Sequence, residues 1–70
     1  MNIRYDPDAD AMYIKFREKE IDYTQELDEN TIIDFDQQGE VIGVELLFVR
    51  ERNPELLKEF KIENLMPALS

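Results

Sequence analysis

Cysteine, histidine and tryptophan are absent from this 70-residue chain, glycine occurs twice and proline three times. Without cysteine there is no disulfide, no thiolate nucleophile and no sulfur ligand for a metal; without histidine the usual neutral-pH base and imidazole ligand are missing as well. Most familiar catalytic layouts are closed, so the sequence favours a non-enzymatic protein with no cofactor. No uninterrupted apolar run approaches the roughly 18 residues that suggest a membrane span. The start, Met1-Asn2-Ile3-Arg4-Tyr5-Asp6, has neither the basic region nor the apolar stretch of a signal peptide. A cytoplasmic protein with no membrane partner is expected.

Negative charge is what the chain has in excess. Seventeen Asp and Glu residues face eight Lys and Arg, for a net charge of −9. Such a chain repels phosphate backbones, which argues against nucleic acid and anionic lipid and leaves a basic protein as a fitting partner. Residues 1–49 hold 13 acids and 4 bases, whereas residues 50–70 hold 4 of each. At roughly 100 to 200 residues per domain, residues 1–70 make one unit. A chain so short buries only about 60% of the surface its unfolded form exposes, so its own core is small.

Alternation reads the first part as strands. Ile3 and Tyr5 alternate with Asn2 and Arg4 until Asp6-Pro7 halts the run, since proline has no amide to donate. Residues 11–16 place Met12, Ile14 and Phe16 on one face and Tyr13 and Lys15 on the other. A weaker pattern covers residues 23–27. Thr31 to Phe35 is β-branched and aromatic, and Asp36-Gln37-Gln38-Gly39 then carries the residues a type I turn prefers at its first and fourth positions. The following strand is read over residues 40–49. Folding it back on residues 31–35 puts Ile33, Phe35, Ile42, Val44 and Leu46 on one core face. The opposite face, with Ile32, Asp34, Val41, Gly43, Glu45 and Leu47, is too apolar for an ordinary solvated surface. Asn53-Pro54 has the residues of a helix start, and Leu56, Leu57 and Phe60 fall on one stripe, predicting a helix over residues 54–61. Ile62, Leu65, Met66 and Leu69 continue as an apolar tail interrupted by Pro67.

Candidate chemistry is sparse. Asp6, Asp8 and Asp10 alternate in a loop, as hard-oxygen ligands of a divalent cation do, and a metal-binding protein or metal-assisted enzyme is the alternative reading. The glycine and glutamate that a helical calcium loop requires are replaced by Ala11 and Arg17, and aspartates capping their own backbone explain the run as well. Asp34 and Glu45 share a predicted sheet face and form a possible polar surface site; ordinary rim charge is the plain reading. Gly39 suits a positive-φ turn position, Gly43 a bulge or close packing in mid-strand, and Pro54 a helix start. The two glycines are no phosphate cradle. Tyr5, Tyr13 and Tyr23 lack the basic surroundings of a base-stacking surface and fit core or interface positions.

Tyr5-Asp6-x-x-Ala9-Asp10-Ala11-x-Tyr13-Ile14, followed by Ile33-Asp34-x-Asp36-x-x-Gly39-x-Val41-x-Gly43-Val44-Glu45-x-Leu47, resembles a widespread family of small prokaryotic domains of unknown function. The resemblance spans residues 3–49. It implies a compact antiparallel meander, commonly with a helix after it, and no established substrate, cofactor or catalytic residue. The placement of some members beside small toxin-like genes implies an antitoxin-like role.

The sequence therefore predicts an α+β fold: an antiparallel β-meander of three to four strands in residues 1–49, then one C-terminal helix packed on a face and an apolar tail in residues 50–70. The small core, the mixed second face and the apolar tail point to a homodimer.

Overall fold

The computed structural model describes residues 1–59. Five strands form one antiparallel sheet: β1 (Asn2–Asp6), β2 (Ala11–Lys15), β3 (Tyr23–Asp28), β4 (Thr31–Phe35) and β5 (Val41–Leu47), in the order β1-β2-β5-β4-β3. The fold is α+β, as expected, but the sheet has five strands rather than three or four. The extra strand is β3, whose six residues are all exposed. It owes its place to the ladder with β4 and to the stacked rings of Tyr23 and Phe35, 4.8 Å apart, rather than to an apolar face of its own.

β1 and β2 form a hairpin and β3, β4 and β5 a meander; β5 joins the two by pairing with β2. The segment from β2 to β3 must therefore pass the β4–β5 turn. It is pinned there, with the Phe16 amide donating to the Ile42 carbonyl, Arg17 paired with Glu40, and Lys19 lying 3.5 Å from Asp36. The turn itself is closed by the Gly39 amide on the Asp36 carbonyl, with Gly39 at φ 81°, the left-handed position that follows a type I turn in a bulged hairpin. Asp36, only 2% exposed, accepts the amides of Gln38 and Glu40 through Oδ1. The Glu40 amide, against the opposing effect of burial, holds its carboxyl below the usual range, aided by Gln38 and Lys19.

Register separates two faces. Ile3 and Tyr5 of β1 lie opposite Ile14 and Met12; Ile14 and Met12 lie opposite Val44 and Leu46; Val44 and Leu46 lie opposite Ile33 and Thr31. Alternation places Ile42 on this same apolar face, and a bulge between Asp34 and Phe35 adjusts the end of the ladder. Fully buried apolar side chains are few among the described residues: Ala11, Met12, Ile42 and Val49. Ile33, Phe35, Val44 and Leu46 are only half-buried.

The C-terminal part departs from expectation in two ways. β5 ends at Leu47 instead of running to Val49, because Phe48 turns left-handed (φ 55°) and Val49–Arg52 forms a single α-helical turn, α1. The cause lies forty residues upstream. Asp10, itself left-handed at φ 52°, accepts the Val49 amide on its carbonyl (3.2 Å) and the Arg50 amide on Oδ1 (2.8 Å). Two amides at the start of the turn are thus satisfied from outside the helix, and Val49 is locked into the interior. The expected helix over residues 54–61 is replaced by a 3₁₀ turn, Pro54–Leu57, with Lys58 and Glu59 outside it. Asn53 makes no side-chain cap; its amide closes the preceding turn on Val49, and Pro54, which has no amide, forces a fresh start. Of the stripe's described residues Leu56 is half-buried and Leu57 is 39% exposed. Phe60, the end of the expected helix and the whole apolar tail lie outside the described residues. Among the described residues, no helix is long and apolar enough to cross a membrane.

If Asp10 holds α1, replacing it with alanine removes the acceptor for Arg50 and leaves a β-carbon strained at positive φ. Amide exchange at Arg50 should accelerate in Asp10→Ala while exchange within β4 stays slow; equal acceleration in both would show that the aspartate supports the whole sheet instead.

Candidate functional site

On the face opposite the apolar one, the register brings Arg4, Tyr13, Glu45 and Ile32 into one cross-strand row, with Gly43, Asp34 and Thr24 in the next. Tyr13 reaches diagonally over Gly43, and its hydroxyl donates to Asp34 Oδ2 at 2.8 Å; Thr24 donates to Asp34 Oδ1 at 2.7 Å. This chain of bonds crosses from β2 over β5 to β4 and β3. Gly43 makes the crossing possible: a β-carbon there would lie 2.6 Å from Tyr13 Cζ and 2.9 Å from the Ile14 carbonyl oxygen. Both carboxylate oxygens of Asp34 thus accept from other strands, β2 and β3.

Desolvation, then the bond to Asp34 and the negative charges of Asp34 and Glu45, push the Tyr13 hydroxyl up to about 12. It stays protonated at neutral pH and serves as a donor, which is the opposite of what a phenolate nucleophile or general base requires. Tyr5, whose hydroxyl donates to Asp10 Oδ1 at 2.8 Å, is raised for the same reason, the hydrogen bond to Asp10. Next to Tyr13, Arg4, Asp6, Ala11 and Glu45 help line an open depression of about 340 Å³. It presents charge and a phenol ring.

Asp34 and Glu45 do share a face, on adjacent strands, but what joins them is Tyr13, whose proton both charges hold in place. Neither accepts a bond from Arg50 or Arg52 among the described residues. Two aspartates of the first loop have partners within the chain: Asp6 Oδ1 accepts the amides of Asp8 and Ala9, while Asp10 accepts the Tyr5 hydroxyl and the Arg50 amide. Among the described residues, no group of three or more carboxylates is positioned to hold a metal ion. Asp6, Asp8 and Asp10 are therefore not brought together as ligands.

Two participants escaped the sequence. Tyr13 was assigned to a core or interface and Thr24 to nothing, because their partnership with Asp34 exists only in the folded register. The signal that could have found them is Gly43: a mid-strand glycine marks close approach, and the aromatic two residues out of register on the next strand is what approaches it.

Two outcomes test this network. Gly43→Ala should destabilise the protein by about 1–3 kcal/mol in urea unfolding, the usual range for overpacking, since the Ile14 carbonyl cannot move without breaking the ladder. In a spectrophotometric titration, one of the three tyrosines should ionise near pH 12, and Asp34→Asn should bring that midpoint down toward 10. Because the folded value is raised, the stabilisation from this phenol is complete below about pH 10 and is lost as pH climbs through the folded value.

No curated protein matches the chain, and no solved structure does. A family model matches residues 2–50, a span that contains the Tyr13–Asp34 crossing, the Asp36 turn and both amides that Asp10 holds. By that match the chain belongs to the family described as "Protein of unknown function (DUF2283)".

Proposed function

We propose that this domain is a non-enzymatic protein-interaction module that works as a homodimer, with the apolar sheet face as the dimer surface. The observation that carries this reading is the contrast between the faces. On the polar face the donors and acceptors of Tyr13, Thr24 and Asp34 are spent on one another. The apolar face carries Ile3, Ile14, Ile33, Phe35, Val44 and Leu46, with Ile3 37% exposed and the others half-buried. A sheet with one apolar face needs a second layer, and among the described residues that face is covered only in part: Met12 and Ile42 are buried, whereas the six residues just named are not. A second copy suits the surface: none of these residues is charged, so two chains of net charge −9 can meet there with their carboxylates directed elsewhere. The acidic remainder of the dimer favours a basic protein as its target, and an antitoxin-like role is the form of this reading that the family resemblance implies.

Light scattering on the full chain tests it. The mass expected is twice 8.4 kDa, or 16.8 kDa. Ile14 and Val44 face each other in the ladder, so Ile14→Glu with Val44→Glu should give 8.4 kDa with the strand signal in circular dichroism retained. An unmodified chain that is monomeric at micromolar concentration refutes the dimer; a variant that stays dimeric moves the interface away from this face.

A further inference from the structure

Resting on the interaction-module reading, we infer that the outer edge of β3 is a docking edge for an extended, basic segment of a partner protein, which adds to the sheet as a further strand. β3 is the last strand in the order, and among the described residues it pairs only with β4. Edge strands leave alternate amides and carbonyls unpaired, and proteins usually guard them with lysine, proline or very short length. Tyr23–Asp28 lacks all three: it is six residues long, contains no lysine or proline, and is exposed throughout, its guards being the acidic Glu26 and Asp28 and one bulge between them. Its irregularity is confined to the step between Glu26 and Asp28, leaving Tyr23 to Glu26 in regular register. The other edge is a poorer template, since β1 is five residues long, carries Arg4 and stops before Pro7.

Charge selects the occupant. Residues 18–29 contain six acids and a single base, Lys19, which is drawn to Asp36. Like charges set directly opposite one another destabilise a strand pair. A second copy of β3 is therefore repelled, while a basic strand is attracted and steered. At the start of the edge, a cavity of about 210 Å³ is lined by Glu20, Ile21, Asp22 and Gln37. Two carboxylates beside an isoleucine suit a lysine or arginine, whose head finds charge while its stem lies on apolar surface. Ile21, Tyr23 and Leu27, 49%, 46% and 62% exposed, provide apolar rests along the same edge. An occupant alternating basic and aliphatic residues satisfies both, with main-chain bonds giving affinity and side chains giving selection.

The test uses the isotope-labelled full chain and a synthetic peptide, Lys-Val-Arg-Val-Lys-Val with both ends blocked. Amides from Tyr23 to Asp28 should shift and exchange more slowly, and binding should weaken as salt rises. Asp22→Lys with Glu26→Lys should weaken it about tenfold, the combined effect of two exposed charge pairs. A peptide of the same charge, N-methylated at alternate residues, should not bind, because it cannot donate to the edge. Equal binding by the methylated peptide, shifts confined to β1 or the apolar face, or no shift at millimolar peptide each overturn the inference. Sedimentation of the same samples separates the two readings: a dimer that ignores the peptide refutes the edge alone, and a monomer that binds it along β3 refutes the dimer alone.

Discussion

The seam between β2 and β5 is the constraint on which this small sheet depends. Without it the molecule is a two-stranded hairpin and a three-stranded meander, and a lone hairpin is marginal in water. Three devices beyond the ladder bridge that seam. Tyr13 crosses β5 to reach Asp34, Asp10 holds the chain as it leaves β5 through Val49 and Arg50, and Arg17 reaches Glu40 beside the β4–β5 turn. All three join residues more than twenty positions apart in the chain. Cross-links of such separation make the two halves fold as one unit, at the entropic cost of closing long loops first.

These devices explain why the motif-bearing residues are tightly specified by the fold. Gly43 has no side chain because the Tyr13 ring occupies that space. Asp10 occupies a left-handed position that aspartate tolerates better than most residues, and there its carbonyl and carboxylate face successive amides. Asp36 closes a turn from inside, its Oδ1 taking the amides of Gln38 and Glu40. Each residue type follows from a geometric need of the scaffold, so such a pattern of Tyr, Asp and Gly requires no bound substrate to account for it.

How far the sequence disclosed this depends on the range over which each cause acts. The ladder of β4 and β5 was legible because period-two alternation and the Asp36–Gly39 turn act within a few residues. β3 was faint because an edge strand exposed along its whole length has no face to encode. The helix start was misplaced for a related reason: Asn53-Pro54 is a sound local signal, but Asp10 starts the helical turn earlier from a distance no local pattern reports. At the candidate site, Asp34, Glu45 and Gly43 were individually visible. Tyr13, which relates them, required the register that sets it beside Glu45 and diagonal to Gly43.

Net charge and surface pattern appear to conflict, since nine excess negative charges oppose any association of the chain with itself. The faces resolve the conflict. At physiological salt, charges separated by more than about 8 Å are largely screened from one another, so what matters is whether carboxylates meet directly across a contact. On the apolar face they do not, because Ile14 and Val44 lie at its middle, opposite each other. Along β3 they would, with Glu26 and Asp28 in the strand and Asp22 just before it. The same distribution that permits self-contact through one face denies it along the open edge. An acidic edge is thus a barrier to end-to-end growth of like chains, and the same placement of charge would attract a basic strand, as proposed for this edge.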